Sequence, residues 1–370
     1  MNILLPIKWP VGGIRTYLKY VLKHDLLSSN HYTIIAPWMV ETEHLLDSLS
    51  SLNIRYRKCT ASPASFLSAL TQEPIQNHYH LIHSHGFTAG LFSIPGSVLT
   101  RTPHLLTSHD VLDPKHFDGL KGKFTRQALA LLFHQVSSFN AISQDAKANL
   151  KHFYPAIPDD KIDVILNGIN TRQFADTEVR PIRNELNLDN QRFIIGFLGR
   201  FMAQKGFRYL IEAIEQIKVH HPDVNPPLVV AVGAGGYLEQ DSQWIAEKGL
   251  SDSFRFLPFT ENIAPTLRAM DVVAMPSLWE CCPLLPMECL LTGTPVIGSD
   301  CIGMREILNN SPATIIPSKN SSALSKAILT HMKQDQRPAY QDYIPVAQQR
   351  FDVNNTSTAL ASLYKKYARQ

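Results

Sequence analysis

Residues 276–293 read PSLWECCPLLPMECLLTG and place two carboxylates, Glu280 and Glu288, with seven residues between them. Just upstream, residues 271–275 (DVVAM) make a short apolar run of strand type, and residues 294–298 (TPVIG) make another. A loop and a short helix therefore lie between two strands. Pro283 and Pro286 do not suit a helix interior, but both suit its first turn, whose N–H groups have no internal partner. The helix is expected to begin near Leu284, with Glu280 on the loop before it and Glu288 in its second turn. At the carboxyl end of a parallel strand, such a helix start offers free N–H groups and a positive dipole end, which suits a phosphate. The flanking carboxylates cannot bind phosphate and are better matched to hydroxyls. Polyhydroxyl beside diphosphate describes a nucleotide sugar; the rival reading is a plain loop-to-helix turn with two solvated glutamates.

Similar apolar runs recur on both sides of this stretch. Residues 2–6, 32–37, 79–83, 104–108, 139–143 and 163–166 form one set, and 192–199, 228–233, 254–257, 271–275, 295–298 and 313–317 a second. Helical patterns separate them, which implies βαβ units and parallel sheets covered on both faces. The fold class expected is α/β, with two Rossmann-like doubly wound domains facing a central cleft. The first domain is placed at residues 1–172 and the second at 191–350. Residues 173–190, polar and interrupted by Pro181, are expected as the linker. The tail, 351–370, returns to a helical pattern that packs back on the first domain.

Composition narrows the function classes. At 370 residues, 44% apolar and 18% charged, the chain is globular and long enough for two cores. Net charge is +3, with 17 Lys plus Arg against 14 Asp plus Glu in residues 1–180 and 18 against 18 beyond. That asymmetry is too weak for a nucleic-acid binder but permits attraction to an anionic membrane surface. Five cysteines without Cys-x-x-Cys spacing support neither a zinc site nor a disulfide framework, and fit a reducing cytosol. No run has the length and purity of a membrane span, and the expected location is cytoplasmic.

Several strand ends carry further candidates. Gly12 and Gly13 follow the first strand and let backbone approach a ligand closely; an ordinary βα turn is the alternative. His83 and His85, in HSH at a strand end, face the same way. Without a third ligand signal they read as core or wall histidines rather than a metal site. His109, in SHD, could bond a sugar hydroxyl or share a proton, or be merely structural. Lys121, Lys123 and Arg126 flank Phe124 on a helix that either touches acidic lipid or packs on its own sheet, the second being favoured. Arg200 follows a strand, and Lys205 stands at a helix start, against the dipole; a diphosphate held between them would explain both. Gly233, Gly235 and Gly236 lack the third glycine of a dinucleotide fingerprint and read as a tight turn.

Taken in order, Gly12-Gly13, Ser108-His109-Asp110, Asn167-Gly168-Ile169 with Phe174, Gly199-Arg200, Lys205-Gly206, Pro276-Ser277, Glu280, Glu288 and Gly293-Thr294-Pro295 resemble glycosyltransferase family 4 over nearly the whole chain. The resemblance implies a retaining transferase of GT-B architecture that moves a sugar from a nucleoside diphosphate with its anomeric configuration kept. The slightly basic first half adds the expectation of a glycan or lipid-linked acceptor met at a membrane face, with peripheral membrane contact and no nucleic-acid partner. The resemblance also implies that Glu288 holds the ribose hydroxyls and Glu280 contacts the donor sugar. Arg200 and Lys205 would neutralise the leaving diphosphate, helped by backbone N–H groups at Gly13, Leu284 and Leu285, and His109 would line the face where sugar and acceptor meet. No cofactor or metal is implied, and the sequence contains no Asp-x-Asp. One departure is Cys281-Cys282-Pro283, where family members commonly carry glycine; Pro283 has no N–H to offer. A nucleotide-sugar epimerase and a non-catalytic glycan-binding subunit are the alternatives.

Overall fold

The computed structural model describes residues 1–175, 178–189, 191–260 and 262–369, and for residue 116 the backbone alone. Its strands form two all-parallel sheets. The first holds β1 (Asn2–Pro6), β2 (His31–Pro37), β3 (Ile54–Cys59), β4 (Leu81–His85), β5 (His104–Ser108), β6 (Ser138–Ala141) and β7 (Ile162–Val164). Their order is β3-β2-β1-β4-β5-β6-β7. The second holds β8 (Ile194–Leu198), β9 (Leu228–Val232), β10 (Phe254–Leu257), β11 (Val272–Met275), β12 (Val296–Ser299) and β13 (Thr314–Ile316), in the order β10-β9-β8-β11-β12-β13. Every residue of β4, β5, β8 and β9 is buried, as expected of parallel strands covered by helices on both faces.

The two orders are the same arrangement repeated. Chain direction across the sheet reverses between β1 and β4, and again between β8 and β11. Loops leaving adjacent strands there run to opposite faces, and the gap at the strand carboxyl ends is where α/β sheets bind ligands. This topology positions the residues considered below.

Two units result, one of Met1–Ile169 with the chain from Val353 onward, the other of Asn170–Asp352. The closing helix Val353–Tyr367 lays Leu360, Leu363 and Tyr364 against Leu18, Val21, Leu22 and Tyr32 of the first unit. Leu360 and Tyr364 are fully buried, each contributing about 1.5–3 kcal/mol of apolar burial. Thr356 Oγ1 also donates to Leu166 O at 2.8 Å.

Four expectations are corrected. Residues 173–190 are not a linker; Asp176, Thr177 and Asn190 lie outside the described residues, and the rest packs on the second unit. Ile182 is fully buried, Arg180 N donates to Pro265 O at 3.1 Å, and Arg183 Nη2 donates to Asp271 Oδ2 at 2.9 Å. Polarity there reflects ion pairing rather than a free spacer. Strand β3 was not expected, because Arg55, Arg57 and Lys58 break its apolar pattern. It is an edge strand, and Arg55 and Arg57 pair with the buried carboxylate of Glu73. The helix Gly119–Phe133 buries only Gly122 and Phe133, so it is not packed along its length as favoured above. Finally, Glu288 lies in the first turn of its helix, not the second, because the helix begins one residue later at Leu285.

Candidate active site

In the second unit, the turn after β8 and the loop after β11 meet at the switch point. Leu278 N donates to Gln204 O and Gln204 Nε2 donates to Trp279 O, both at 2.8 Å, so the two loops are tied by a reciprocal pair. Gly206 sits at φ 67, and a Cβ there would lie 2.0 Å from Pro276 O; only glycine allows this approach. From the other side, Glu280 N donates to Ile302 O at 3.0 Å.

The clamped loop carries Glu280, which is 6% exposed. Its Oε1 accepts from Lys205 Nζ at 2.6 Å and from Ser277 Oγ at 2.8 Å, while Oε2 accepts from no described residue. A carboxylate this buried needs a cation to offset its lost hydration, and Lys205 supplies it. The arrangement holds the ammonium in place while one carboxylate oxygen stays available. Arg200, just past Gly199 at the end of β8, is exposed and makes no ion pair with the described residues.

Leu284 is the N-cap of the helix Leu285–Thr292 and gives it no side-chain cap. Pro286 has no N–H and Glu288 N donates to Leu284 O at 3.0 Å, so the N–H groups of Leu285 and Met287 are the first-turn donors left without an intrahelical or capping partner. Glu288 projects from this turn. Its side chain keeps some exposure but is ringed by protein, and burial pushes its carboxyl up to about 7. Hydroxyls donating to it would favour the ionised form and pull that value down. The glycine turn after β9 packs directly on the neighbouring loop: a Cβ on Gly233 would lie 2.0 Å from Gly199 O, and one on Gly235 would lie 2.4 Å from Phe201 O. Close backbone packing, not a dinucleotide, accounts for those glycines.

The first unit has its own candidates at the carboxyl ends of β1, β4 and β5. Gly12, at φ 53, caps the helix Gly13–Leu22, and a Cβ on Gly13 would meet nothing within 4 Å. The missing side chain at Gly13 thus leaves open space rather than relieving a packing clash. His109 follows β5, and its Nε2 lies 2.9 Å from Nδ1 of His85 at the end of β4. His83 is bonded at both nitrogens, to Tyr364 OH and to Thr107 Oγ1, each at 2.7 Å. The rings of His83 and His85 are 4.2 Å apart by centroid, and Tyr17 stands edge-on to His109 at 5.1 Å.

Burial keeps all these imidazoles neutral. Desolvation, and then the neighbouring histidines, hold His83 and His85 well below the usual histidine value, and desolvation alone takes His104 and His109 down to about 3. At neutral pH His109 is therefore a poor base and a hydrogen-bonding imidazole. Sequence reasoning singled out His109 and read His83 and His85 as core or wall. The bond between His85 and His109 joins residues 24 positions apart, and the only sequence signal was that both end apolar runs.

Among the described residues no group of three or more His, Cys, Asp or Glu is placed to hold a metal ion, and no helix is long and apolar enough to cross a membrane.

Two family models divide the chain between them. Residues 11–173 match the model described as Glycosyltransferase Family 4, and residues 178–350 match Glycosyl transferases group 1. The chain is 29% identical over 248 residues to alpha-maltose-1-phosphate synthase of Mycolicibacterium smegmatis, covering 62% of this chain and 61% of that one. It is 27% identical over 325 residues to D-inositol 3-phosphate glycosyltransferase of Corynebacterium jeikeium, covering 83% and 76%. In fold it matches Anabaena HepE, solved with UDP-glucose, at a TM-score of 0.83 and 22% identity, over 99% of this chain and 100% of that one.

Proposed function

The chain belongs to glycosyltransferase family 4, and on that premise we propose that it transfers a sugar from a nucleoside diphosphate to a hydroxyl acceptor with the anomeric configuration kept. The carrying observation is the Lys205–Glu280 pair, clamped beside an uncapped helix start at the second unit's switch point. As the bond from the anomeric carbon to the diphosphate breaks, negative charge grows on the departing phosphate. Lys205, Arg200 and the N–H groups at Leu284 and Leu285 are the donors proposed to meet it, each well-aimed donor being worth about 3–4 kcal/mol. The acceptor oxygen bonds to the anomeric carbon, and its proton passes to the departing phosphate. Oε2 of Glu280 takes a hydroxyl of the donor sugar, and Glu288 takes the ribose diol. Gly13 offers its backbone N–H, and His109 hydrogen-bonds a substrate hydroxyl from the first unit's strand ends. No step in this scheme requires a metal ion or a cofactor.

The acceptor is proposed to be a glycan or lipid-linked saccharide met at a membrane surface on the cytoplasmic side. The helix Gly119–Phe133 supports this, with Leu120 76%, Phe124 69% and Leu131 71% exposed beside the exposed Lys121 and Lys123. Exposed apolar side chains among lysines suit an anionic lipid surface.

Two measurements test these readings. Melting with UDP-, GDP- and ADP-sugars in turn should show one nucleotide raising the midpoint by mass action; no shift with any nucleotide sugar would remove the proposal. Sedimentation with anionic vesicles should capture the chain and fail for F124E, whereas equal capture of both proteins would dismiss the membrane reading.

A further inference from the structure

His109 makes one bond that bears on what it can offer a substrate, and this inference rests on the role proposed above. We infer that His85 donates its Nδ1–H to Nε2 of His109, and so fixes His109 as the Nδ1-protonated tautomer, with an N–H directed to the substrate. His85 is then a positioning residue.

One proton lies between the two facing nitrogens, 2.9 Å apart, because both rings are neutral. Two arrangements are available. If His109 donated, the remaining proton of His85 would sit on Nε2, which is fully buried and has no hydrogen-bond partner. A buried N–H without an acceptor is among the rarest defects in folded proteins. The reverse arrangement leaves Nε2 as a bare lone pair and strands no donor. A doubly protonated His85 would bury the same orphaned N–H and a charge besides.

His85 is 2% exposed, and its ring lies against those of His83 and His109 at centroid distances of 4.2 and 5.2 Å. Its backbone bridges Ile7, just past β1, and the next residue, Gly86, donates its N–H to Thr107 O at 2.9 Å. His83 cannot satisfy it, since both of its nitrogens are already engaged by Tyr364 and Thr107. On His109, Nδ1 bonds to no described residue and is not among the sealed, unpaired atoms. With Nε2 accepting, Nδ1 carries the proton, and His109 meets a sugar or phosphate oxygen as a donor.

The test is long-range proton–nitrogen correlation on the full-length protein with nitrogen-labelled histidine. In the wild-type chain His109 should show Nδ1 as the protonated nitrogen and Nε2 as the bare one; the opposite pattern overturns the inference. In H85L the donor is lost, so His109 should become a tautomer mixture and kcat should fall by up to about tenfold with little change in KM, no more than the loss of the His109 hydrogen bond itself. H85N keeps an amide N–H near the Nδ1 position and should restore most of both signals. If H85L leaves the His109 tautomer unchanged, His85 does not set it. Should the tautomer be as assigned while H109A transfers sugar at the full rate, the inference stands and the substrate role of His109 falls.

Discussion

The switch points of the two units occupy the same place in the same strand order, yet one is lined by imidazoles and the other by ions. At the carboxyl ends of β1, β4 and β5 stand Gly13, His85 and His109, the two imidazoles bonded to each other. Between β8 and β11 stand Arg200, Lys205 and Glu280, two cations and a carboxylate. The topology supplies a gap and a helix start in each case; side chains decide what enters. A neutral wall suits a ligand presenting hydroxyls, whereas a cationic wall suits one whose charge grows during reaction. Location in the fold was thus predictable from topology, and chemistry only from the residues at each strand end.

Acid should separate the units most sharply. Below pH 6.5 the unfolded chain takes up protons on His83, His85, His104 and His109 that the native first unit refuses. Stability from this source is therefore complete above about pH 6.5 and lost as pH falls, at about 1.4 kcal/mol per pH unit for each histidine involved. Glu288 acts with the opposite sign. Its native value near 7 lies above the ordinary 4.5, so the native second unit binds the extra proton and gains stability as pH falls through that window. Hydrogen exchange followed across pH 5–7 should show the first unit opening first, and E288Q should flatten the trend in the second. Parallel loss in both units would break the contrast.

Catalysis should separate them next. K205A is expected to lower kcat about 100- to 1000-fold, because the ammonium is proposed to meet charge that appears only in the transition state. It also leaves Glu280 buried without its cation, so melting must be measured alongside to distinguish lost chemistry from lost folding. H109A is expected to cost about tenfold, the value of one neutral hydrogen bond. A larger loss for H109A than for K205A would reverse the ranking of the two walls.

Much of the fold was legible because the central strands are short apolar runs with helices between them. Residues 104–108 and 254–257 were delimited to the residue. What failed was charge read as exposure. Arg55 and Arg57 look like loop residues until Glu73, on the next helix, is seen between them. The segment around Ile182 looks like a spacer until Arg183 is seen reaching Asp271, 88 positions away. Conversely, the helix at 119–133 looked packed because its leucines recur at helical spacing, and periodicity does not say whether anything lies on the apolar side. Within the site, Glu280, Lys205 and Arg200 were visible as strand-end charges. The Ser277 bond is local, three residues from Glu280 in the same loop, whereas the raised Glu288 carboxyl arises from burial that no spacing encodes.

The hydroxyl of Tyr364 reaches His83 from a helix that is synthesised after the whole of the second unit. During translation the amino-terminal sheet therefore emerges with an unfilled seat where Leu360 and Tyr364 will dock. Its histidine cluster stays unfinished until that helix leaves the ribosome. A stop within the second unit would thus also strip Leu360, Leu363 and Tyr364 from the core of the first, so damage to the later sequence reaches the earlier domain.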